Sequence, residues 1–298
     1  MPDKEEGIFC GIESIANRYL LDPTWRRKDG RLNFGYKTNC LRLSGDTTPE
    51  FFSAERMIHE MVSRIESNIS DRKIKRNPSS ENWDFDSRFR SDPSAGRNKR
   101  NTGPEVTLER AIIQARRMMP NRKFEDKWTY QMPVASGLFG PNTDKSSSID
   151  LVRKHSDGVF DLIELKIGSN NPVFAAAEIL RYGLAYAVSR KNAEKIGYDI
   201  KKLKILSAKQ IRLCVLAPPL PFSPFYDNRY NLAWLEKGLN EALKQFSKTN
   251  GYCMSFEFQV LNLDWKATDR PTDGLQLITI INKALDEISQ VNWNKFIA

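Results

Sequence analysis

The chain has 298 residues, enough for one large domain or two modest ones with a substantial core. Lys and Arg number 46 against 37 Asp and Glu, a formal charge of +9, and 40% of residues are hydrophobic. That balance excludes a wholly disordered chain and favours a polyanionic partner such as nucleic acid. Cys10, Cys40, Cys214 and Cys253 form no CxxC, and only His59 and His155 are present. A local zinc knuckle, a redox motif and a His-rich metal site are therefore excluded. No apolar run approaches the roughly 18 residues of a membrane span. The opening Met1-Pro2-Asp3-Lys4-Glu5-Glu6 has no apolar stretch of a secretory signal. The expectation is a cytoplasmic chain with no membrane association and reduced cysteines, of which Cys214 and Cys253 lie in strand-like runs and read as buried.

In chain order, Thr48-Pro49-Glu50 reads as a helix start, with Thr48 capping and Pro49 in the first position. Phe51, Met57, Ile58, Met61 and Ile65 give that helix one apolar face and leave His59 at the surface. Residues 1–70 thus read as a helical extension. From Asp71 to Arg100 there are nine Lys/Arg and five Asp/Glu, with little apolar content. Residues 71–104 read as a basic linker or mobile loop. The alternative is a basic arm that tracks phosphates, with Trp83, Phe85 and Phe89 stacking on bases.

The pattern sharpens over 105–298. A helix is predicted at 107–119, with Leu108, Ile112, Ala115 and Met119 as its stripe. Strands are predicted at 128–136, 147–154 and 159–167, then a helix at 172–190 opened by Asn171-Pro172, and a strand at 211–217. A helix at 232–246, a strand at 252–263 and a helix at 275–288 follow. Three antiparallel strands, a crossover helix and a parallel fourth strand make an α/β domain, a mixed central sheet with helices on both faces.

Chemistry concentrates in one hairpin. Glu164 and Lys166 lie two apart on an apolar strand and leave it on the same face. Charges in such a strand are costly unless paired or bound to a metal. Ser156-Asp157-Gly158 suits a three-residue loop, a type I turn closed by a left-handed Gly. His155 then opposes Val159, and Asp150 opposes Glu164 with side-chain roots about 4.5–5.5 Å apart. A loop of two or four residues would send Asp150 to the other face. Two opposed carboxylates repel, and a hard divalent cation, Mg²⁺ or Mn²⁺, relieves that repulsion. The competing reading is a strand-edge ion pair of Glu164 and Lys166 with Asp150 as a turn-side polar residue. Asp161 points to the opposite face, Asp157 belongs to the turn, and His155 closes the hairpin at the surface.

Ile149-Asp150, thirteen intervening residues and Glu164-Leu165-Lys166 resemble the PD-(D/E)xK nuclease superfamily, the restriction-endonuclease-like fold, with Ile149 where Pro is common. The resemblance covers about 107–217, where the αβββαβ order is similar to that family's core, leaving N- and C-terminal extensions around it. It implies that Asp150 and Glu164 bind the metal and that Lys166 positions and activates water. Glu109 resembles an upstream acid that many members point at the metal; it reads equally as an acid favouring its helix dipole. Glu178-Ile-Leu-Arg181-Tyr182 resembles the QxxxY signature of the lambda-exonuclease and RecB-type branches, with Glu for Gln. Tyr182 reads alternatively as a core aromatic. The implied function is a Mg²⁺- or Mn²⁺-dependent deoxyribonuclease in which Arg181 and Tyr182, supported by Glu178, meet nucleic acid. DNA is the expected partner and RNA the second candidate, and the flanking segments have room for a protein partner or a second copy. The alternative is a catalytically silent nucleic-acid-binding or interaction subunit on the same fold.

Overall fold

The computed structural model describes residues 7–20, 48–71, 81–90, 103–118, 127–134, 147–167, 172–217, 232–265 and 274–290. Helices α1 (Ile12–Leu20), α2 (Ala54–Asp71), α3 (Phe85–Arg90) and α4 (Pro104–Met118) precede strands β1 (Lys127–Pro133), β2 (Ser148–Ser156) and β3 (Val159–Leu165). Then follow α5 (Pro172–Lys191), the short α6 (Ala193–Ile196), β4 (Gln210–Ala217), α7 (Ala233–Thr249), β5 (Cys253–Val260), α8 (Gly274–Asp286) and β6 (Ser289–Gln290).

The six strands form one mixed sheet in the order β1-β2-β3-β4-β5-β6. β1, β2 and β3 are antiparallel neighbours, β4 runs parallel to β3, β5 parallel to β4, and β6 closes antiparallel on β5. The antiparallel meander and the α5 crossover are as expected. The strand at 252–263 extends the sheet in parallel, again through a helix, which is what a crossover of that length permits. The predicted cap Asn171, Met119, Pro218-Pro219 and the far end of the first strand lie outside the described residues.

Alternation along the strands separates two cores. Phe160, Leu162, Ile211, Leu213, Val215, Phe256 and Phe258 face α5 and α7. Leu151, Ile163, Leu165, Cys214 and Leu216 face α4 and α8, where Leu108, Ile112, Ile281 and Leu285 meet them. Each fully buried aliphatic or aromatic side chain of this kind is worth roughly 1.5–3 kcal/mol of transfer free energy. Ala175, Ala176 and Ala177, all buried, let α5 lie close on β3 and β4. The described parts of 1–70 share the first core: Ile8, Ile12, Met57, Met61 and Ile65 are buried with the sheet residues, and α2 packs on α5 and α7.

Several local expectations change. α2 begins at Ala54 rather than at Pro49, because Pro49–Phe52 is closed as a turn by Phe52 N–H donating to Pro49 O at 3.0 Å. Ser53 takes the capping place, with Met57 N–H on its carbonyl and Arg56 N–H 3.5 Å from its hydroxyl. Cys253 is exposed because it stands at the start of β5, whereas Cys214 is buried. Trp83 and Phe85 are not free to stack on bases. Trp83 is fully buried, edge-on to Tyr186, and its backbone N–H donates to Pro133 O at 3.1 Å. Phe85 packs against Phe160 and Phe89. Aromatic burial against β1 and α5 outweighs the polar composition of the surrounding segment.

Among the described residues no helix is long and apolar enough to cross a membrane.

Candidate active site

The hairpin that carries the site reaches its register by a different route from the one expected. Ser156 pairs with Val159 around a two-residue Asp157-Gly158 turn, in which Gly158 takes φ +82°. Such a turn alone would put Asp150 on the wrong face. The ladder shifts between Lys154 and Ser156, leaving His155 as an extra residue, and from there inward Lys154 opposes Phe160 and Leu151 opposes Ile163. A bulge adds one residue to one strand, so it restores the expected frame as far as Leu151 opposite Ile163, where the ladder ends one residue short of Asp150 and Glu164.

Glu164 lies on the α5 face with Phe160 and Leu162, and Asp150, unpaired in both ladders, meets the same segment of β3 through the Leu165 backbone. Asp150 Oδ2 accepts the Leu165 N–H at 3.0 Å, and Oδ1 lies 3.4 Å from Gln131 Nε2. Glu164 is only 4% exposed and its Oε1 accepts from Lys166 Nζ at 2.5 Å. Lys166 N–H donates to Leu216 O at 3.0 Å, which carries the strand direction one residue past β3. Its ammonium also lies 3.1 Å from Glu178 Oε2 on α5.

The charges are out of balance. Burial pushes the Asp150 carboxyl up to about 6; the Lys166 ammonium and Leu165 N–H oppose that shift, while Glu178 and Glu105 add to it. Burial also holds the Glu164 carboxyl well above its ordinary range, and the charges of Asp150 and Glu178 raise it further. Burial alone would lower the Lys166 pKa, but Glu164 and Glu178 keep the ammonium above its ordinary range.

The predicted helix-face residues join the same network. Arg181 Nη2 reaches Glu178 Oε1 at 3.4 Å and donates to Tyr182 OH at 3.1 Å. Its guanidinium lies 4.9 Å from the Tyr182 ring centre and 5.4 Å from that of Phe9. Tyr182 is buried edge-on against Phe9, and burial pushes its phenol up to about 12. On the other side, Glu109 on α4 is 2% exposed and its Oε2 accepts from Gln131 Nε2 at 2.8 Å.

Glu164, Lys166, Glu178, Arg181 and Tyr182 are therefore linked in one set of polar contacts, and Glu109 and Asp150 in a second, which meets the first at the Leu165 backbone N–H between Glu164 and Lys166. Sequence reasoning missed three members. Gln131 bridges Glu109 to Asp150; Ser148 Oγ donates to Gln131 Oε1 at 2.7 Å; Glu105 Oε1 accepts the Ile167 N–H at 3.2 Å. Glu105 precedes the predicted start of its helix, and an α4 starting at Pro104 was the signal that would have found it. Neither Gln131 nor Ser148 carries a local signal, because each acts through partners distant in the chain.

Asp161 lies on the opposite face, as expected, in a separate cluster. Arg212 binds it through two nitrogens at 2.6 and 2.9 Å, and His155 Nε2 bonds the same carboxylate. The bulge turns His155 inward to that bond, so it is part-buried rather than a surface residue. Among the described residues, no group of three or more His, Cys, Asp or Glu side chains is gathered so that it could hold a metal ion by itself.

Comparison of the chain with protein-family models, with curated proteins and with solved structures yields no match.

Proposed function

We propose that this chain is a metal-dependent nuclease of the restriction-endonuclease-like type, hydrolysing phosphodiester bonds of DNA. The observation that carries the reading is the gathering of Asp150, Glu164 and Lys166 around the Glu164-Leu165-Lys166 segment, beside Glu178 of the crossover helix. A buried and a half-buried carboxylate that repel each other form an all-oxygen donor set. Mg²⁺ suits it, since that ion is held by one or two carboxylates plus waters and substrate phosphates rather than by a full protein cage. Asp150 and Glu164 would hold the cation.

When bound, it supplies Lewis-acid polarisation of a phosphoryl group and acidifies water. Lys166 presents a fixed positive charge to attacking water and to the negative charge that develops on the phosphate. Glu178 orients the Lys166 ammonium from the α5 side. Arg181 offers a fork of donors to phosphate oxygens, and Tyr182 anchors that guanidinium by its ring and hydroxyl. The net charge of +9 supports association with a polyanion.

One observation favours a silent nucleic-acid-binding subunit instead: Lys166 already pairs both Glu164 and Glu178, so the carboxylates are partly neutralised without a cation. Incubation of the protein with circular and linear DNA, with and without Mg²⁺, separates the two. The nuclease reading expects Mg²⁺-dependent cleavage that Glu164→Ala abolishes. DNA binding without cleavage in any divalent cation would overturn it in favour of the silent subunit. Binding of Mn²⁺ at 100 times its Kd should also stabilise the wild type by about 2.7 kcal/mol, and the Asp150→Asn/Glu164→Gln protein by none.

A further inference from the structure

Resting on that reading, we infer that Gln131 is a positioning residue of the site: its side-chain amide clamps the Asp150 carboxylate to Glu109 and so orients Asp150 for a hard divalent cation. Gln131 takes φ +47° in the middle of β1. A residue with a Cβ is disfavoured there by about 1–2 kcal/mol. Tyr130 still pairs with Leu151 and Met132 with Ile149, but the ladder between them skips Gln131 and Asp150. The turn in the strand also breaks its alternation. Tyr130 belongs to the core under α4, while Met132, two residues on, belongs to the core under α5. Strain of this kind persists only where the surroundings enforce it, and it concentrates at functional sites.

The contacts show what the distortion achieves. Gln131 Nε2 stands 2.8 Å from Glu109 Oε2 and 3.4 Å from Asp150 Oδ1, while its Oε1 receives the Ser148 hydroxyl. The hydroxyl donor on one end fixes the amide's NH₂ toward the two carboxylates. With Leu165 N–H on Oδ2, both oxygens of Asp150 are then held. The clamp is neutral. A Lys or Arg in its place would satisfy the same carboxylates but would bring a positive charge that repels a cation. An amide donor orients acidic ligands and leaves their charge available, which is the work of groups that surround a metal ligand without touching the metal.

The test uses two substitutions that suit a left-handed backbone and remove the bridge. Gln131→Gly deletes the side chain, and Gln131→Asn keeps an amide one methylene too short to span Glu109 and Asp150. Each full-length protein is titrated with Mn²⁺ by calorimetry and melted without metal. Both variants should melt at or above the wild-type temperature yet bind Mn²⁺ about 10–100-fold more weakly. Ser148→Ala, which frees the amide to rotate, should weaken Mn²⁺ binding in the same direction by less. Affinity within about twofold of wild type in both Gln131 variants would overturn the inference while leaving the metal site intact. A fall in melting temperature accompanying the lost affinity would reduce Gln131 to a structural residue and overturn it as well. A wild type that binds no Mn²⁺ would remove the metal reading itself, and the clamp with it.

Discussion

Asp150 is the residue at which the competing physical terms are best separated. Its carboxyl is raised to about 6 in the folded protein, so the native state binds more protons than the unfolded chain over the interval between its ordinary value and 6. The stability it contributes is complete below about pH 4 and is lost as pH rises through about 6. Glu164, raised by its own burial and by the charges of Asp150 and Glu178, loses stability with rising pH in the same direction. In metal-free buffer, Asp150→Asn should therefore be about as stable as wild type at pH 4 and more stable at pH 7, by about 1–2 kcal/mol after allowance for partial solvation. Calorimetric melting of both proteins across that range tests this. Lower stability of Asp150→Asn at pH 7 would mean that the Lys166 and Leu165 contacts outweigh desolvation and repulsion.

At the scale of elements, the site depends on how closely α5 approaches the sheet, since Glu178, Arg181 and Tyr182 arrive on that helix. Gly183 faces Leu213 of β4 so tightly that a Cβ there would lie 2.6 and 2.7 Å from the two leucine methyls. Leu213 is wholly buried and has little room to yield. Gly183→Ala gains helix propensity of about 1 kcal/mol but must displace α5 or Leu213. The net should be destabilising by about 1–2 kcal/mol in urea unfolding, and Leu213→Val in the same chain should recover part of it. No loss in Gly183→Ala would mean that α5 slides freely and that its site residues are not held by this contact. The β2–β3 hairpin shows the same dependence on packing. Strand identity followed from alternation, but the bulge at His155 that keeps Leu151 opposite Ile163 did not. His155 leaves the ladder to meet Asp161 and Arg212, partners that turn-residue preferences do not report.

At the scale of the molecule, α2 and the turn of 3₁₀ helix before α1 form part of the sheet's own core. Met57, Met61 and Ile65 have no exposed surface, and α2 lies across α5 and α7. Removal of residues 1–71 would uncover that apolar face, so a fragment of 72–298 should be insoluble or lose its cooperative melting. Size-exclusion chromatography and circular dichroism decide it: a soluble, cooperatively melting fragment would make the N-terminal helices a dispensable extension. α8, at the other end of the chain, covers the opposite sheet face together with α4, and Asn282 Nδ2 bonds Ala115 O at 2.9 Å.

By itself the sequence determined what depends on neighbours along the chain. The 3.6-residue stripe of α4, the largely apolar runs of β3 and β4 and the alternation that puts Glu164 and Lys166 on one face are all local, because helix and strand geometry are set by residues a few positions apart. The candidate carboxylates stood out for the same reason, as charges in a strand that burial would otherwise exclude. Tertiary structure alone decided the rest. Trp83 and Phe85 are buried because β1, β3 and α5 offer them a surface, Gln131 takes a left-handed backbone and bonds Glu109 of α4, and β6 pairs with β5. Each of these depends on groups tens of residues away, and desolvation and hydrogen-bond pairing between such groups act only once the chain has closed around them.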